Sequence, residues 1–377
     1  MYDVKVLTNI EEFEPLASEW ESLKKAAGDQ LLYSSHSWIM HFFQHHSKKT
    51  EPYIVLLYDK NELIGAAPLM RLDGTYTKIS ARRLEFISSS MIGDLSDFIV
   101  ARDHEKVTSS IFDFLFSQHE DWDYAFFMLF LKDFTISKYY PQVFKRLNIH
   151  SKSKRGPDGY RMPVKGSWEE YYPTRSSNLK KMLNNRARRF EKAGGMNIEH
   201  YTKPDEVEKA ISEVRFVHEK SWQGKDGCGV FSRRQNGFYE AFCEYAAEQG
   251  MMDIWVLKLE DKPISFEYSI VYNGVAHCLK WEFDGEYSKF SPGLTLRRHS
   301  LQYYFENGVQ TCDLLSRYGT MKLKWTDVPT ETYDLLFFNK GVKGRLLRSA
   351  SSVRSGIKKL RSRFKQGEAE EEYVAGI

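Results

Sequence analysis

The sequence predicts an α/β protein made of two structurally similar halves, each with a mixed, mostly antiparallel sheet flanked by helices, followed by a basic C-terminal helix. Three observations lead to this prediction. Strand and helix patterns alternate along the 377 residues, both halves pass through a similar order of elements, and a lysine- and arginine-rich segment follows them. This length suits two domains of about 100–200 residues each.

The first half begins with a strand and an amphipathic helix. The alternating segment DVKVLT predicts the strand, and Phe13, Leu16, Trp20 and Leu23 recur at the spacing of one helix face. The segments YIVLLYD and ELIGAAPLMR then predict a hairpin. A later helix leads into YAFFMLFL, which is far shorter than the ~20 apolar residues of a membrane span. It is typical of a buried strand.

The second half repeats this order. The segment SSNLKKMLNNRARRFEKAGG predicts a helix that ends at a glycine pair. Three segments, MDIWVLKLE, PISFEYSIVYN and VAHCLKWEFD, predict an antiparallel meander with tight turns. A turn and a helix over FSPGLTLRRHSLQYYFENG follow, and VQTCDLLS and TYDLLFF predict strands that close this half. We therefore expect domains over 1–165 and 166–340, and a basic helix with an acidic tail over 341–377.

The composition is typical of a globular protein, with 42% hydrophobic and 28% charged residues and a formal net charge of +3. The four cysteines form no C-x-x-C pair, so we expect free thiols in a reducing compartment and no metal site. The N-terminal segment lacks the basic and apolar regions of a signal peptide. These features predict a cytoplasmic protein.

The C-terminal segment predicts a basic amphipathic helix. It has ten lysine and arginine residues and no acidic residue between Lys340 and Lys365. Apolar residues from Leu346 to Phe364 recur at steps of four and three, which places them on one helix face. Such a helix over 341–365 is suited to the inner face of an anionic membrane. Docking on the mildly acidic body of the same protein fits the pattern equally well.

The segment FSPGLTLRRHSL, residues 290–301, has the features of an anion site at the start of a helix. A helix N-terminus offers unpaired backbone N–H groups and a partial positive charge. Gly293 would let a ligand approach the backbone, Pro292 suits the first helical turn, and Arg297 and Arg298 would add positive charge. These features together suit a pyrophosphate, although an ordinary strand-to-helix turn can have the same sequence.

The stretch that contains this segment carries residues that recur in one known family. They are Phe283, Asp284, Tyr287, Phe290, Ser291, Pro292, Gly293, Gly308, Asp313, Lys322 and Trp325. This set resembles the BioF2-like acetyltransferase domain family of the Gcn5-related N-acetyltransferase (GNAT) superfamily, which includes proteins of cellulose and other polysaccharide synthesis. With smaller segments, the similarity spans Phe13 to Trp325. A more distant similarity links the chain to the aminoacyl-tRNA-dependent transferases of peptidoglycan bridges.

The resemblance implies a tandem acyl-CoA N-acyltransferase-like (GNAT-like) fold with acetyl-CoA or a longer acyl-CoA as co-substrate and no metal. In this superfamily the turn and helix after the fourth strand hold the pyrophosphate of coenzyme A. The next strand splays away to admit the thioester arm. The residues expected to bind the co-substrate are Phe290, Ser291, Pro292, Gly293, Leu294, Arg297 and Lys322. Cations of the preceding basic helix, such as Lys181, Arg188 or Arg189, could serve an anionic substrate.

For catalysis we expect a base that accepts the amine proton and backbone donors for the oxyanion. Asp313 and Asp284 are the first candidates for the base, with Glu282 and His277 as further ones, and Tyr318 could protonate the leaving thiolate. A cap or an ion-pair partner for Asp313, a core position for His277 and a packing position for Tyr318 remain open. The glycine-rich segment GKDGCG is expected to form a loop over the site.

The predicted function is N-acylation of an amino sugar or a related envelope or extracellular polysaccharide precursor, with a small-molecule, glycan-linked or lipid-linked amine as acceptor. One departure from the family keeps alternatives open. Relatives have Gly-Asp-Glu-x-Tyr before the closing lysine, whereas this chain has Arg317 to Met321 without acidic residues. Aminoacyl transfer from tRNA, or an inactive binding component of a polysaccharide assembly, are the alternatives. Apart from tRNA, no nucleic-acid partner is expected.

Overall fold

The computed structural model of the chain describes residues 2–46, 48, 50–227, 229–233, 235–316, 319–327 and 329–351. The strands are β1 (Asp3–Leu7), β2 (Thr50–Asp59), β3 (Glu62–Tyr76), β4 (Ile79–Phe86), β5 (Ile99–Val100), β6 (Tyr124–Leu131), β7 (Ser151–Arg155), β8 (Arg161–Pro163), β9 (Met196–Tyr201), β10 (Met252–Leu259), β11 (Lys262–Tyr272), β12 (Val275–Phe283), β13 (Thr311–Asp313) and β14 (Thr332–Phe338). The helices are α1 (Ile10–Phe13), α2 (Ala17–Ala27), α3 (His36–His46), α4 (His104–Ser117), α5 (Thr135–Leu147), α6 (Trp168–Tyr171), α7 (Ser177–Lys192), α8 (Val207–Lys220), α9 (Trp222–Lys225), α10 (Phe238–Glu248), α11 (Pro292–Glu306), α12 (Gly319–Lys322) and α13 (342–351).

Two mixed sheets form the framework. The first has the order β1-β2-β3-β4-β6-β14-β7, with β5 paired to β3, and the second has the order β8-β13-β12-β11-β10-β9. Neighbours are antiparallel except for β4 with β6 and β12 with β13. The predicted meander is β10-β11-β12, whose second turn has positive φ at Asn273 and Gly274, as a tight hairpin turn requires. The expected α/β class with mixed, mostly antiparallel sheets is confirmed.

Strand β14 differs from its predicted place. The segment TYDLLFF was expected to close the second half, but it lies between β6 and β7 of the first sheet. Leu335 and Phe337 are fully buried in the first core, where the Phe337 ring packs 5.2 Å from that of Phe127. Conversely, β8, which belongs to the predicted first half, pairs with β13 of the second sheet. The boundaries 1–165 and 166–340 stay a prediction, but each sheet takes one strand from across them.

The two halves also share an apolar core. The ring of Trp38 on α3 lies 4.8 Å from Phe238 and 5.0 Å from Phe242, both on α10. All three side chains are fully buried. Burial of large aromatic side chains stabilises such a contact by roughly 1.5–3 kcal/mol per side chain, so the halves fold as one packed body.

The basic C-terminal helix is partly described. Over 342–351, α13 docks on the first sheet through Leu347, which is fully buried beside Tyr124 and Phe338. The Tyr76 hydroxyl donates to Ser351 Oγ at 2.9 Å. The predicted amphipathic pattern beyond this point, and the acidic tail, lie outside the described residues. No helix of the described part is long and apolar enough to cross a membrane.

Candidate functional site

The parallel pair β12 and β13 separates after three residue pairs. The last pair joins His277 to Asp313, where β13 ends, while β12 continues to Phe283. From Cys278 onward, no strand in the described part of the chain pairs with this edge of β12. A cavity of about 600 Å³ occupies the gap. This divergence is the feature that the resemblance predicted, and it lies in the second half, where the site was expected.

A bulge sets the direction of the β12 side chains along the cavity. Ile270 of β11 pairs with His277, but Tyr268 pairs with Lys280, so β12 has one extra residue here. Beyond the bulge, Glu282 reaches α8, whereas Trp281 lies under the Arg297 guanidinium of α11 at 5.4 Å. The cavity therefore has one end beside α11 and another beside α8, on opposite faces of the sheet.

The Ser-Pro-Gly turn forms the end beside α11. Ser291 has left-handed backbone geometry, with φ 49°, and its carbonyl accepts from the N–H groups of Leu294 and Thr295 at 3.1 and 3.2 Å. Helix α11 starts at Pro292, and residues 291–294 line the cavity. A Cβ on Gly293 would lie 3.9 Å from Trp281, across the cavity. A Cβ here would make only ordinary contacts, so a larger side chain would be needed to fill the space at the helix N-terminus.

Helix α7 brings two cations to the same turn. The Arg186 Nε donates to Ser291 Oγ at 3.1 Å, and the Arg189 Nη1 donates to the carbonyl of Lys289 at 2.9 Å. Helix α7 begins at Ser176, whose side chain accepts from Leu179 N, and this cap fixes where the helix starts. A helix N-terminus with two adjacent guanidinium groups favours an anionic ligand. Of the predicted helix cations, Arg189 is at the turn.

Two of the predicted co-substrate residues have other contacts. Phe290 packs against Phe190 of α7, with ring centroids 4.8 Å apart, and does not line the cavity. Arg297 lines the cavity, but its Nε lies 2.9 Å from Glu267 Oε1, and both groups are buried. Its charge is therefore largely balanced inside the protein and is not free to hold a phosphate.

Lys322 lines the cavity at its wall opposite β12. Its Nζ donates to the carbonyls of Leu315 and Ser316, both at 3.0 Å. Burial lowers the pKa of Lys322 to about 8. Asp94 of the first half accepts from the backbone N–H and the hydroxyl of Ser316. The first half therefore fixes the wall that presents this lysine.

Of the three predicted catalytic residues, the two that the structure describes, Asp284 and Asp313, do not line the cavity. Asp284 caps the 3-10 turn Gly285–Phe290 by accepting from Glu286 N at 3.0 Å, which is a local structural role. Asp313 is buried behind the cavity, where Oδ1 accepts from Leu315 N and Oδ2 lies 3.7 Å from Arg161 Nε. Burial raises the pKa of Asp313. Tyr318 lies outside the described residues.

His277, a further candidate base, is fully buried beside Asp313, with its Nδ1 3.7 Å from Asp313 Oδ2. Burial lowers the pKa of His277 to about 3, so its ring is neutral near pH 7. It does not line the cavity. The core position that the sequence left open is therefore where His277 lies.

Glu282 is the acidic residue that lines the cavity. It is 3% exposed, and its Oε2 accepts from His218 Nδ1 at 2.8 Å and from Ser221 Oγ at 2.7 Å. Its Oε1 has no hydrogen-bond partner among the described residues. A buried carboxylate oxygen left unpaired is costly unless a ligand meets it. The sequence signal was an acidic residue inside an apolar strand just before the Ser-Pro-Gly turn.

The glycine-rich segment is helical at Gly224 and Lys225, which belong to α9, and its Gly229 lies against Glu282. Gly229 has φ 93°, and a Cβ there would lie 2.6 Å from Glu282 Oε1 and 2.7 Å from His218 Cε1. Both the backbone conformation and the close approach therefore require glycine. Trp222 and Gln223 of α9 also line the cavity, and Trp222 is 55% exposed.

Metal chemistry has no evident ligand set in this part of the chain. Among the described residues, no group of three or more His, Cys, Asp or Glu side chains could hold a metal ion.

Comparisons with known proteins agree with this geometry. A family model for an acetyltransferase (GNAT) domain matches residues 177–323. The C-terminal domain of a protein described as a lysylphosphatidylglycerol synthetase from Agrobacterium fabrum has 11% identity and a TM-score of 0.54, over 89% of this chain and 96% of that chain. FemX has 11% identity and a TM-score of 0.53, over 88% and 96%. L-PGS from Bacillus licheniformis has 14% identity and a TM-score of 0.51, over 95% and 99%.

At such low identity these solved structures establish the fold alone, and no curated protein matches the chain. The family model supports the expected N-acyltransferase class for residues 177–323, and the solved structures support the expected fold over most of the chain. The narrower resemblance to BioF2-like proteins stays a prediction.

Proposed function

We propose that the protein is an acyl-CoA-dependent N-acyltransferase. The proposal starts from the match of residues 177–323 to a GNAT-type acetyltransferase domain. The acceptor would be an amino sugar or a related envelope or extracellular polysaccharide precursor. One observation carries this proposal. A single cavity runs from the N-terminus of α11 through the gap beside β12 to Glu282, whose buried Oε1 has no hydrogen-bond partner among the described residues.

The end beside α11 suits the pyrophosphate of the co-substrate. The backbone N–H groups at the start of α11, with Arg186 and Arg189 at the turn, offer positive potential to a diphosphate. The apolar walls Leu294, Leu314 and Trp325 would contact the uncharged arm that leads inward. The thioester at the end of that arm supplies the activated acyl group. Bound this way, its carbonyl would lie beside β12.

The free edge of β12 and Glu282 would then act on the reacting groups. Backbone N–H groups of an unpaired strand edge are donors that can stabilise the oxyanion formed when the amine attacks the thioester. Glu282 Oε1 would take the proton that the amine loses, while His218 and Ser221 hold the other oxygen in place. The C–S bond breaks, and the leaving thiolate takes a proton from Lys322.

The end beside α8 suits an amine on a ring-shaped acceptor. The exposed face of Trp222 at the mouth can contact the apolar face of a sugar ring, and the Gln223 amide can bond to hydroxyl groups. The amine would then reach the buried carboxylate of Glu282, which favours a cationic or proton-donating group. This arrangement supports an amino sugar as the acceptor class.

An acyl-transfer assay tests this function directly. We expect acetyl-CoA or a longer acyl-CoA to acylate members of a panel of amino sugars and glycan-linked amines, with equal release of free thiol. Thioester hydrolysis without amine is the control. No transfer from any thioester, together with salt-dependent tRNA binding, would replace this proposal with aminoacyl transfer. No transfer from either donor would leave an inactive binding component.

We also propose that the protein works as a cytoplasmic, peripheral membrane protein. On α13, Val342 is 79% and Leu346 is 55% exposed, one turn apart on the same face. The intervening Arg345 is also exposed. Because Leu347 holds the helix on the first sheet, these side chains face away from the body. Exposed apolar residues among basic ones suit an anionic bilayer, where a lipid-linked precursor would be presented.

A further inference from the structure

Two free cysteines lie side by side on the cavity wall where the strands diverge. Cys278 lies at the bulge of β12 and lines the cavity, and Cys312 lies on β13 in register with Ala276. Their Sγ atoms are 3.5 Å apart. Both belong to the buried cluster that packs beneath α11. The function proposed above uses neither thiol.

Arg297 contributes to a difference in pKa between the thiols of Cys278 and Cys312. Its Nη1 lies 2.8 Å from Cys278 Sγ, and its Nε lies 2.9 Å from Glu267 Oε1. Burial acts to raise the pKa of Cys278, but the hydrogen bond with Cys312 and the guanidinium outweigh it and lower that pKa. The same hydrogen bond and burial raise the pKa of Cys312. The pair therefore favours a thiolate on Cys278 beside a protonated thiol on Cys312.

The geometry allows the sulfurs to bond with a small shift. A disulfide requires about 2.05 Å between the sulfurs, so they must approach by roughly 1.5 Å. From Cys278 onward, β12 is paired on one edge only within the described residues, so fewer backbone hydrogen bonds hold it here. Cys243 differs from the pair. It is fully buried, its Sγ contacts Met252 Sδ at 3.4 Å, and burial raises its pKa to about 12.

We infer that Cys278 and Cys312 form a redox-responsive pair, in which a peroxide entering the cavity oxidises Cys278 and Cys312 resolves the product to a disulfide. The Cys278 thiolate attacks one peroxide oxygen, the O–O bond breaks, and hydroxide leaves, which gives a sulfenic acid. The Cys312 thiol then attacks this sulfur, the S–O bond breaks, and water leaves. Two electrons pass from the sulfurs to the peroxide.

The disulfide would close the site reversibly. It would tie β12 to β13 at the narrow end of the gap and remove the thiolate that Arg297 faces. Both effects act on the wall where the thioester arm is proposed to lie, so acyl transfer should stop until a dithiol restores it. This effect on activity rests on the proposed function, whereas formation of the disulfide does not.

The test is peroxide treatment of the full chain in a Cys228→Ser background, followed by peptide mapping. We expect a Cys278–Cys312 disulfide, reversed by dithiothreitol, while Cys243 stays reduced. Cys312→Ser should instead trap a dimedone-reactive sulfenic acid on Cys278, and Cys278→Ser should show neither product. Bound acyl-CoA should slow the oxidation.

Mapping of the unsubstituted protein can also overturn the inference, so the test does not depend on the folding of any variant. Reduced Cys278 and Cys312 after peroxide treatment, or oxidation of Cys243 at the same rate, would do so. A disulfide without any measurable acyl transfer would leave the redox pair intact and count against the proposed function instead.

Discussion

At the scale of single residues, the proposed chemistry depends on one buried carboxylate. Glu282 has one oxygen held by His218 and Ser221, while its other oxygen is buried and has no hydrogen-bond partner among the described residues. Of the aspartates expected to act here, Asp284 caps a turn and Asp313 lies beside Arg161, and neither lines the cavity. Glu282, which lines the cavity, is therefore the residue to substitute.

Glu282→Gln should lower the rate of acyl transfer by about 10²–10⁴-fold, the range of general base catalysis, because the amide cannot accept the amine proton. Binding of acyl-CoA should not change, since the co-substrate contacts lie at the other end of the cavity. Steady-state kinetics and equilibrium binding measure the two effects. Glu286→Gln, an exposed carboxylate beside the same strand end, is the matched control. A normal rate for Glu282→Gln would exclude the assigned base.

The pKa of Lys322 leads to a prediction of how the rate of acyl transfer depends on pH. Its pKa of about 8 means that the proton offered to the leaving thiolate is lost as the pH rises through this value. We therefore expect kcat to fall above pH 8 in the parent protein. Lys322→Met should be slower at neutral pH and should lack this decline. A parent profile that stays flat from pH 7 to about pH 10, where a free lysine would titrate, would show that Lys322 is not the acid.

Residue-level prediction succeeded where the signal was local. Pro292 and Gly293 mark a strand-to-helix turn by their own backbone properties, and the structure places both on the cavity wall. Glu282 was named only as a further candidate, because its role depends on His218 and Ser221, about 60 residues away in sequence. Spacing cannot reveal such contacts.

At the scale of elements, the meander and the turn before α11 could be predicted because periodicity and turn residues encode them. The place of β14 could not be predicted in this way. Its alternating apolar residues specify a strand that buries one face, but not which sheet receives it. Burial of Leu335 and Phe337 among the aromatic side chains of the first core accounts for the position of β14 in the first sheet.

From the exposed apolar and basic residues of α13, we predict that the protein binds anionic vesicles. The double variant Val342→Ser, Leu346→Ser should weaken binding to anionic vesicles, because it removes exposed apolar side chains without touching the buried Leu347. Arg345→Glu should add a further loss, at about 1 kcal/mol per cation. Flotation with phosphatidylglycerol-containing and neutral vesicles measures both effects.

The neutral vesicles and a chain that ends at residue 340 are the controls for this experiment. Binding that is unchanged in the double variant, in Arg345→Glu and in the shortened chain would refute a membrane role for this segment. It would then favour docking on the body of the same protein, the alternative that the sequence left open.

At the scale of the whole molecule, the candidate site depends on both halves. The cavity belongs to the second sheet, but Asp94 of the first half holds Ser316 in its wall. Strands β8 and β14 each cross to the other half, and the aromatic contacts of Trp38 join α3 to α10. The sequence predicted two similar halves, whereas the exchange of strands depends on long-range pairing that no local pattern encodes.

The proposed function requires the cavity between the turn at Ser291 and Glu282 to hold an acyl-CoA. Thermal unfolding with and without acetyl-CoA and longer acyl-CoAs tests it most directly. We predict a rise in Tm for the parent protein and for Gly285→Leu, whose added side chain meets open space. The rise should be lost in Gly293→Leu, whose side chain would fill the gap toward Trp281. No rise with any thioester, or an equal rise in Gly293→Leu, would contradict the account.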